Sequence, residues 1–122
     1  MRVLVVEDEP LLAMLLEENL AELGYELAGS AATVHQAMSL LEQSEIDCAL
    51  LDFSLGRDST SIPVAQRLRE AGKPFTFLTG HASLEGTQGL PDDAPLLVKP
   101  VSLADLRGAL SRMAEGEAEA AE

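Results

Sequence analysis

The sequence predicts an α/β fold, a parallel sheet covered on both faces by helices. Two observations carry this: apolar runs of strand length alternate with stretches of helical period, and polar side chains stand where four of the five apolar runs end. The 122 residues match the commonest size of one domain, so a second catalytic or DNA-reading domain is not expected.

The elements follow in order. Val3 to Val6 reads as the first strand. Pro10 opens a helix as a first-turn residue, with Leu12, Leu15, Leu16, Leu20 and Leu23 as its buried stripe and Gly24 as its stop. Tyr25 to Ala31 is the second strand. Thr33 is a candidate N-cap for a helix carrying Val34, Ala37, Met38 and Leu41. Ile46 to Leu51 is the third strand, ending at Asp52, and a polar loop from Ser54 to Ser61 follows. A helix through Val64, Ala65 and Leu68 stops at Gly72 before Pro74. Phe75 to Leu78 is the fourth strand, ending at Thr79 and Gly80. The stretch from His81 to Pro95 is rich in Gly and Pro, so a helix there should be short and weakly held. Leu96 to Val98 is the fifth strand, and Ser102 to Met113 is the last helix, with Leu103, Leu106, Leu110 and Met113 spaced three and four apart. The domain is read as residues 1–113, and residues 114–122 as an acidic Ala/Glu tail, either a frayed helix end or disordered.

Eight Lys and Arg stand against 21 Asp and Glu, a formal charge of −13. Such a surface repels phosphodiester backbones and anionic lipid, so neither nucleic acid nor membrane is an expected partner. The single Cys48 can form no internal disulfide and, within an apolar strand, reads as a small core residue. No apolar run approaches the ~20 residues that span a bilayer, and no secretory leader precedes the first strand. The expectation is a soluble, cytoplasmic protein.

Glu7 and Asp8 follow strand one, Asp52 ends strand three, Thr79 ends strand four and Lys99 follows strand five. All lie at carboxyl ends, where a doubly wound sheet places its ligand crevice. Each alone has an ordinary role: an acidic pair in a solvated loop, an Asp in a turn, a capping Thr, a surface Lys-Pro. Together they describe one site. Three close carboxylates need a counter-ion, and a hard divalent cation with oxygen ligands, Mg²⁺ above all, is the usual remedy. Beside it a carboxylate can attack a phosphoryl donor. Asp52 is the best-placed nucleophile, Lys99 can pair with one phosphoryl oxygen as a point charge, and the Thr79 hydroxyl can donate to another.

These residues, in the runs V-V-E-D-E, L-L-D, T-G and K-P, resemble the receiver domain of two-component response regulators from the first strand to about Met113. The resemblance implies a doubly wound, flavodoxin-like fold of five parallel strands in the order 2-1-3-4-5. It also implies direct contact of Asp8 and Asp52 with Mg²⁺, Glu7 acting through water, the Ser54 backbone carbonyl as a further ligand, and a cis bond between Lys99 and Pro100. His81 and Ser54 fall where, by the same resemblance, residues line the path of the water that hydrolyses the acyl phosphate. Two positions depart from the usual pattern. Leu96 stands where receivers carry Tyr or Phe, so the coupled Thr and aromatic switch lacks its ring. The run from Pro74 to His81 resembles stand-alone alphaproteobacterial receivers whose fourth strand reads F-A-T-G, with Leu78 in place of Ala. Gly80, Gly86 and Gly89 point to the segment after strand four as the substitute for the missing switch.

The function so implied is a single-domain response regulator. It takes a phosphoryl group on Asp52 from a sensor histidine kinase or a His-phosphotransfer protein, and acts on a downstream regulator protein or as a phosphate sink. It catalyses only its own phosphorylation and dephosphorylation. The first helix and the loop after strand five are the implied kinase-docking surface. Two rivals are a small Mg²⁺-dependent phosphatase or phosphotransferase and a phosphorylation-independent adaptor. The first would place D-x-D after strand one and need a cap domain, and the second would have no use for the complete residue set. His35 reads as a solvated surface group, and Phe53 either covers the site or packs against the loop.

Overall fold

A computed structural model describes residues 1–56, 59–80 and 95–121, with residues 116–121 as backbone alone. The element order is β1 (Arg2–Val6), α1 (Pro10–Glu22), β2 (Glu26–Ala31), α2 (Val34–Gln43), β3 (Cys48–Asp52), α3 (Ile62–Glu70), β4 (Phe75–Thr79), β5 (Leu96–Val98) and α4 (Leu103–Ala121). The strands form one parallel sheet in the order β2-β1-β3-β4-β5, as the resemblance implies. The short helix expected between His81 and Pro95 lies outside the described residues.

The period of two in β1 and β3 divides the core. Leu4, Val6, Ala49 and Leu51 face Ala37 of α2 and Val64, Ala65 and Leu68 of α3. Val3, Val5, Cys48 and Leu50 face Leu16 and Leu20 of α1 and Leu106, Leu110 and Met113 of α4. Because both faces are covered, the central strands are apolar throughout instead of alternating, and Val3 to Val6 are fully buried. Each such side chain contributes on the order of 1.5–3 kcal/mol of transfer free energy. Cys48 belongs to this core and His35 is exposed, both as expected.

Several local expectations hold. The Thr33 hydroxyl accepts from the Gln36 N–H at 3.1 Å and caps α2. Pro10 occupies the first turn of α1, and Gly24 after it has φ +86°, a conformation that a Cβ would oppose. Gly29 in β2 has a different reason: a Cβ there would meet the Leu40 methyls of α2 at 3.0 Å. Strand limits shift slightly, since β2 starts at Glu26 and β3 runs Cys48–Asp52, taking Asp52 into the strand.

Two helices differ from expectation. The buried face of α1 is Ala13, Leu16 and Leu20; Leu12 and Leu23 are only half-buried, and Leu15 is 49% exposed. At 100° per residue, Leu15 turns away from the 13/16/20 stripe and joins exposed Leu11 and Met14. The last helix continues past Met113 to Ala121, because the Ala- and Glu-rich residues that follow are good helix formers and nothing among them stops it.

Candidate functional site

Parallel pairing brings the strand ends level. Val6 of β1 lies beside Leu51 of β3, Asp52 beside Leu78 of β4, and Thr79 beside Val98 of β5. The residues that follow β1 and β5 therefore reach the same edge: the Glu7 N–H donates to the Ala31 carbonyl of β2 at 2.9 Å, and the Lys99 N–H donates to the Thr79 carbonyl at 2.7 Å. The Lys99–Pro100 peptide bond is cis.

At that edge the Lys99 ammonium sits 3.1 Å from Glu7 Oε2 and 3.1 Å from Asp52 Oδ1. The Glu7 side chain is wholly buried, and Asp52 nearly so. Carboxylate oxygens of Glu7, Asp8 and Asp52 all lie within 4.8 Å of one another. At that separation each like-charge pair costs about 3.5 kcal/mol at an effective dielectric of about 20. One ammonium cannot balance three carboxylates. The imbalance registers on Asp52, whose carboxyl is pushed from its ordinary 3.8 to about 7 by burial and then by the charge on Glu7, with Lys99 only partly opposing the rise. For Lys99, burial works against the ammonium, but Asp52 and Glu7 together outweigh it and raise its pKa. An all-oxygen donor set short of positive charge fits a hard divalent cation such as Mg²⁺.

A cavity of about 390 Å³ opens over these groups, lined by Asp8, Asp52, Ser54, Thr79 and Lys99 among others. Thr79 is buried at its wall. Ser54 is exposed, its hydroxyl donating to the Gly56 carbonyl at 3.2 Å. The site residues picked from the sequence thus converge, apart from His81, which lies outside the described residues together with Gly86 and Gly89. Of the two roles left open for Phe53, it borders the cavity, while its ring packs edge-on not against the loop but against Phe77 of β4 at 5.8 Å. Leu96 is 38% exposed on β5, and Leu78 is buried against the α1 and α4 layer.

Two further features lie beside the strand-end residues. Glu9 borders the site, and its N–H donates to Glu7 Oε1 at 3.1 Å, fixing the carboxylate at the N-terminus of α1. A second, mainly apolar cavity of about 350 Å³ adjoins Glu7 and Lys99, walled by Leu12, Leu15, Leu16 and Val101. The signal for it was present in the run Leu11-Leu12-Ala13-Met14-Leu15-Leu16, which is more apolar than one buried stripe requires. No helix among the described residues is long and apolar enough to cross a membrane.

This geometry agrees with three comparisons. The chain is 33% identical over 111 residues to the transcriptional regulatory protein PdtaR of Mycobacterium tuberculosis, covering 86% of this chain and 52% of that one. The chain thus spans about half the length of that relative. The solution structure of SdrG from Sphingomonas melonis Fr1 superposes with a TM-score of 0.80 at 37% identity, covering 93% of this chain and 96% of that one. The crystal structure of the anti-anti-sigma factor PhyR from Bartonella quintana gives 0.87 at 27% identity over 98% of this chain and 49% of that one. The model of the response regulator receiver domain matches residues 3–111, which takes in every strand and the acidic edge. Sheet order, strand-end chemistry and these likenesses agree, and the chain belongs to the response regulator receiver domain family.

Proposed function

We propose that Asp52 takes a phosphoryl group from the phosphohistidine of a sensor kinase or a His-containing phosphotransfer protein. The carrying observation is the Lys99 ammonium held 3.1 Å from both Glu7 and Asp52 beside a third carboxylate. An Asp52 oxygen attacks phosphorus, the P–N bond to histidine breaks with its electron pair leaving on nitrogen, and an acyl phosphate forms. Lys99, already beside Asp52 Oδ1, pairs with one phosphoryl oxygen, and the Thr79 hydroxyl donates to another. Glu7, Asp8, Asp52 and the Ser54 carbonyl would hold Mg²⁺, which supplies neutralisation of charge on the transferring group. Ser54 borders the approach of the hydrolytic water.

The domain so defined is residues 1–113, with 114–122 as an acidic extension. The donor docks on α1, where exposed Leu11, Met14 and Leu15 flank the apolar cavity. An apolar face beside the acidic site suits a helical protein partner, and likeness to a transcriptional regulatory protein and an anti-anti-sigma factor supports an output through protein contacts. With Leu96 in place of the usual ring, that output runs through residues 81–95, or phosphoryl groups drain to water. The working compartment is the cytoplasm.

Incubation with acetyl phosphate and Mg²⁺ tests the reading. One alkali-labile phosphoryl group is expected, absent from Asp52→Asn. Absence of label from the unaltered protein would overturn the proposal in favour of an adaptor, and turnover of many phosphate esters would favour a metabolite phosphatase.

A further inference from the structure

The amino end of the sheet carries a cavity in which both signs of charge meet. It has a volume of about 430 Å³ and lies between the ends of α2 and α3 and the chain that enters β3. Glu45 and Asp47 line it from the turn before β3, and Arg67 and Lys73 line it from α3 and the turn after that helix. Ile46, which is buried, joins Leu41 and Ala71 as its apolar wall. All of these side chains, and the residues next to them in the chain, belong to the described segments.

The opposite charges do not close on one another. Among the described residues no ion pair joins Glu45 or Asp47 to Arg67 or Lys73. Asp47 is held from behind, since the Arg2 backbone N–H donates to its Oδ2 at 2.7 Å. An ion pair this open to water contributes roughly 1 kcal/mol or less, too little to draw flexible side chains across a cavity. The gap therefore stays polarised, with carboxylates on one side and cations on the other. A ligand of one sign is attracted by one side and repelled by the other, whereas a ligand carrying both signs pairs with each. Apolar contact with Leu41, Ile46 and Ala71 adds the affinity that exposed charge pairs alone do not supply.

We propose that this cavity binds a free α-amino acid with an apolar side chain. Arg67 and Lys73 hold its carboxylate, Glu45 and Asp47 hold its ammonium, and its side chain lies against Leu41, Ile46 and Ala71. The volume falls in the ~300–1,000 Å³ range of small-ligand sites. The cavity is separate from the acidic edge: Cys48 and Asp52 are the two ends of β3, about 13 Å apart along the strand at ~3.3 Å per residue.

The test is an NMR titration of the full chain with L-leucine. Saturable amide shifts are expected at Ser44, Glu45, Asp47, Ala71 and Lys73, and none at Asp8 or Asp52. Isocaproate lacks the ammonium and isoamylamine lacks the carboxylate. Each should bind about tenfold more weakly than leucine, the scale of one charge-assisted hydrogen bond. Arg67→Gln with Lys73→Gln should weaken leucine by about that factor without weakening isoamylamine, and Glu45→Gln should weaken leucine without weakening isocaproate. Arg67 and Glu45 are exposed, so the remaining amide spectrum should not change. Binding of either analogue as tightly as leucine would overturn the proposal in favour of a site for one sign of charge. Shifts confined to the acidic edge, or no saturable shift at millimolar leucine, would overturn it outright.

Discussion

At the carboxyl end of the strands, Glu7, Asp52 and Thr79 are buried, and three carboxylates crowd one ammonium. At the amino end the polar side chains of Arg2, Asp47 and Lys73 keep partial contact with water, and the Asp47 carboxylate accepts from the Arg2 backbone N–H at 2.7 Å. The same five strands supply both ends, so the contrast does not come from the fold. Charge at the amino end keeps partial contact with solvent, although Arg2 Nε is buried without a hydrogen-bond partner, 3.6 Å from Glu26 Oε2. At the carboxyl end it is buried at a cost in stability that Lys99 offsets only in part.

The first prediction bears on the carboxyl end alone. Asp52→Asn should abolish phosphoryl uptake from acetyl phosphate, measured on a phosphate-affinity gel, whereas Lys73→Gln at the amino end should leave it unchanged. Next comes Lys99→Met, which leaves Glu7 and Asp52 buried without their cation. It should destabilise the domain by about 3 kcal/mol in chemical denaturation, the usual cost of removing one partner from a buried ion pair. A loss below about 1 kcal/mol would mean that water enters the site freely.

Mg²⁺ should act in the opposite direction. At a free concentration a hundredfold above Kd, it should add about 2.7 kcal/mol of stability. Asp8→Asn should remove most of that gain, and an unchanged melting curve in Mg²⁺ would break the contrast between the two ends. Without divalent ions, stability should also depend on pH. The native Asp52 carboxyl titrates near 7 and the unfolded one near its ordinary 3.8, so the native state holds more protons between those values. Stability contributed by this group should therefore fall as pH rises from about 4 to 7 and stay low above that. Tm should fall as pH rises through that window, and this slope should vanish in Asp52→Asn. The smallest effect on the fold should come from Leu15→Ser on exposed α1, within about 0.5 kcal/mol in stability. The same change should still slow transfer from a phosphorylated kinase while sparing acetyl phosphate, which separates docking from chemistry.

Much of the site was legible before any coordinates. Glu7, Asp8, Asp52, Thr79 and Lys99 are polar residues that break apolar runs, and a parallel sheet brings such breaks to one edge. Leu15 was misplaced because six consecutive apolar residues in α1 offer more than one stripe at helical spacing, and only packing against β1 and β3 decides which is buried. The cavity between Glu45, Asp47, Arg67 and Lys73 left no trace in the sequence, since these residues come from the turn before β3, from α3 and from the turn after it.

The sequence alone determined the βα alternation and the identity of the groups at each strand end, because local periodicity and the residue that interrupts it are properties of adjacent positions. Tertiary structure alone decided that Lys99 bridges Glu7 and Asp52, that one face of α1 stays bare, and that Arg67 and Lys73 share a cavity with Glu45 and Asp47. Each of these depends on distances between residues far apart in the chain, and those distances exist only once strand order and register are fixed.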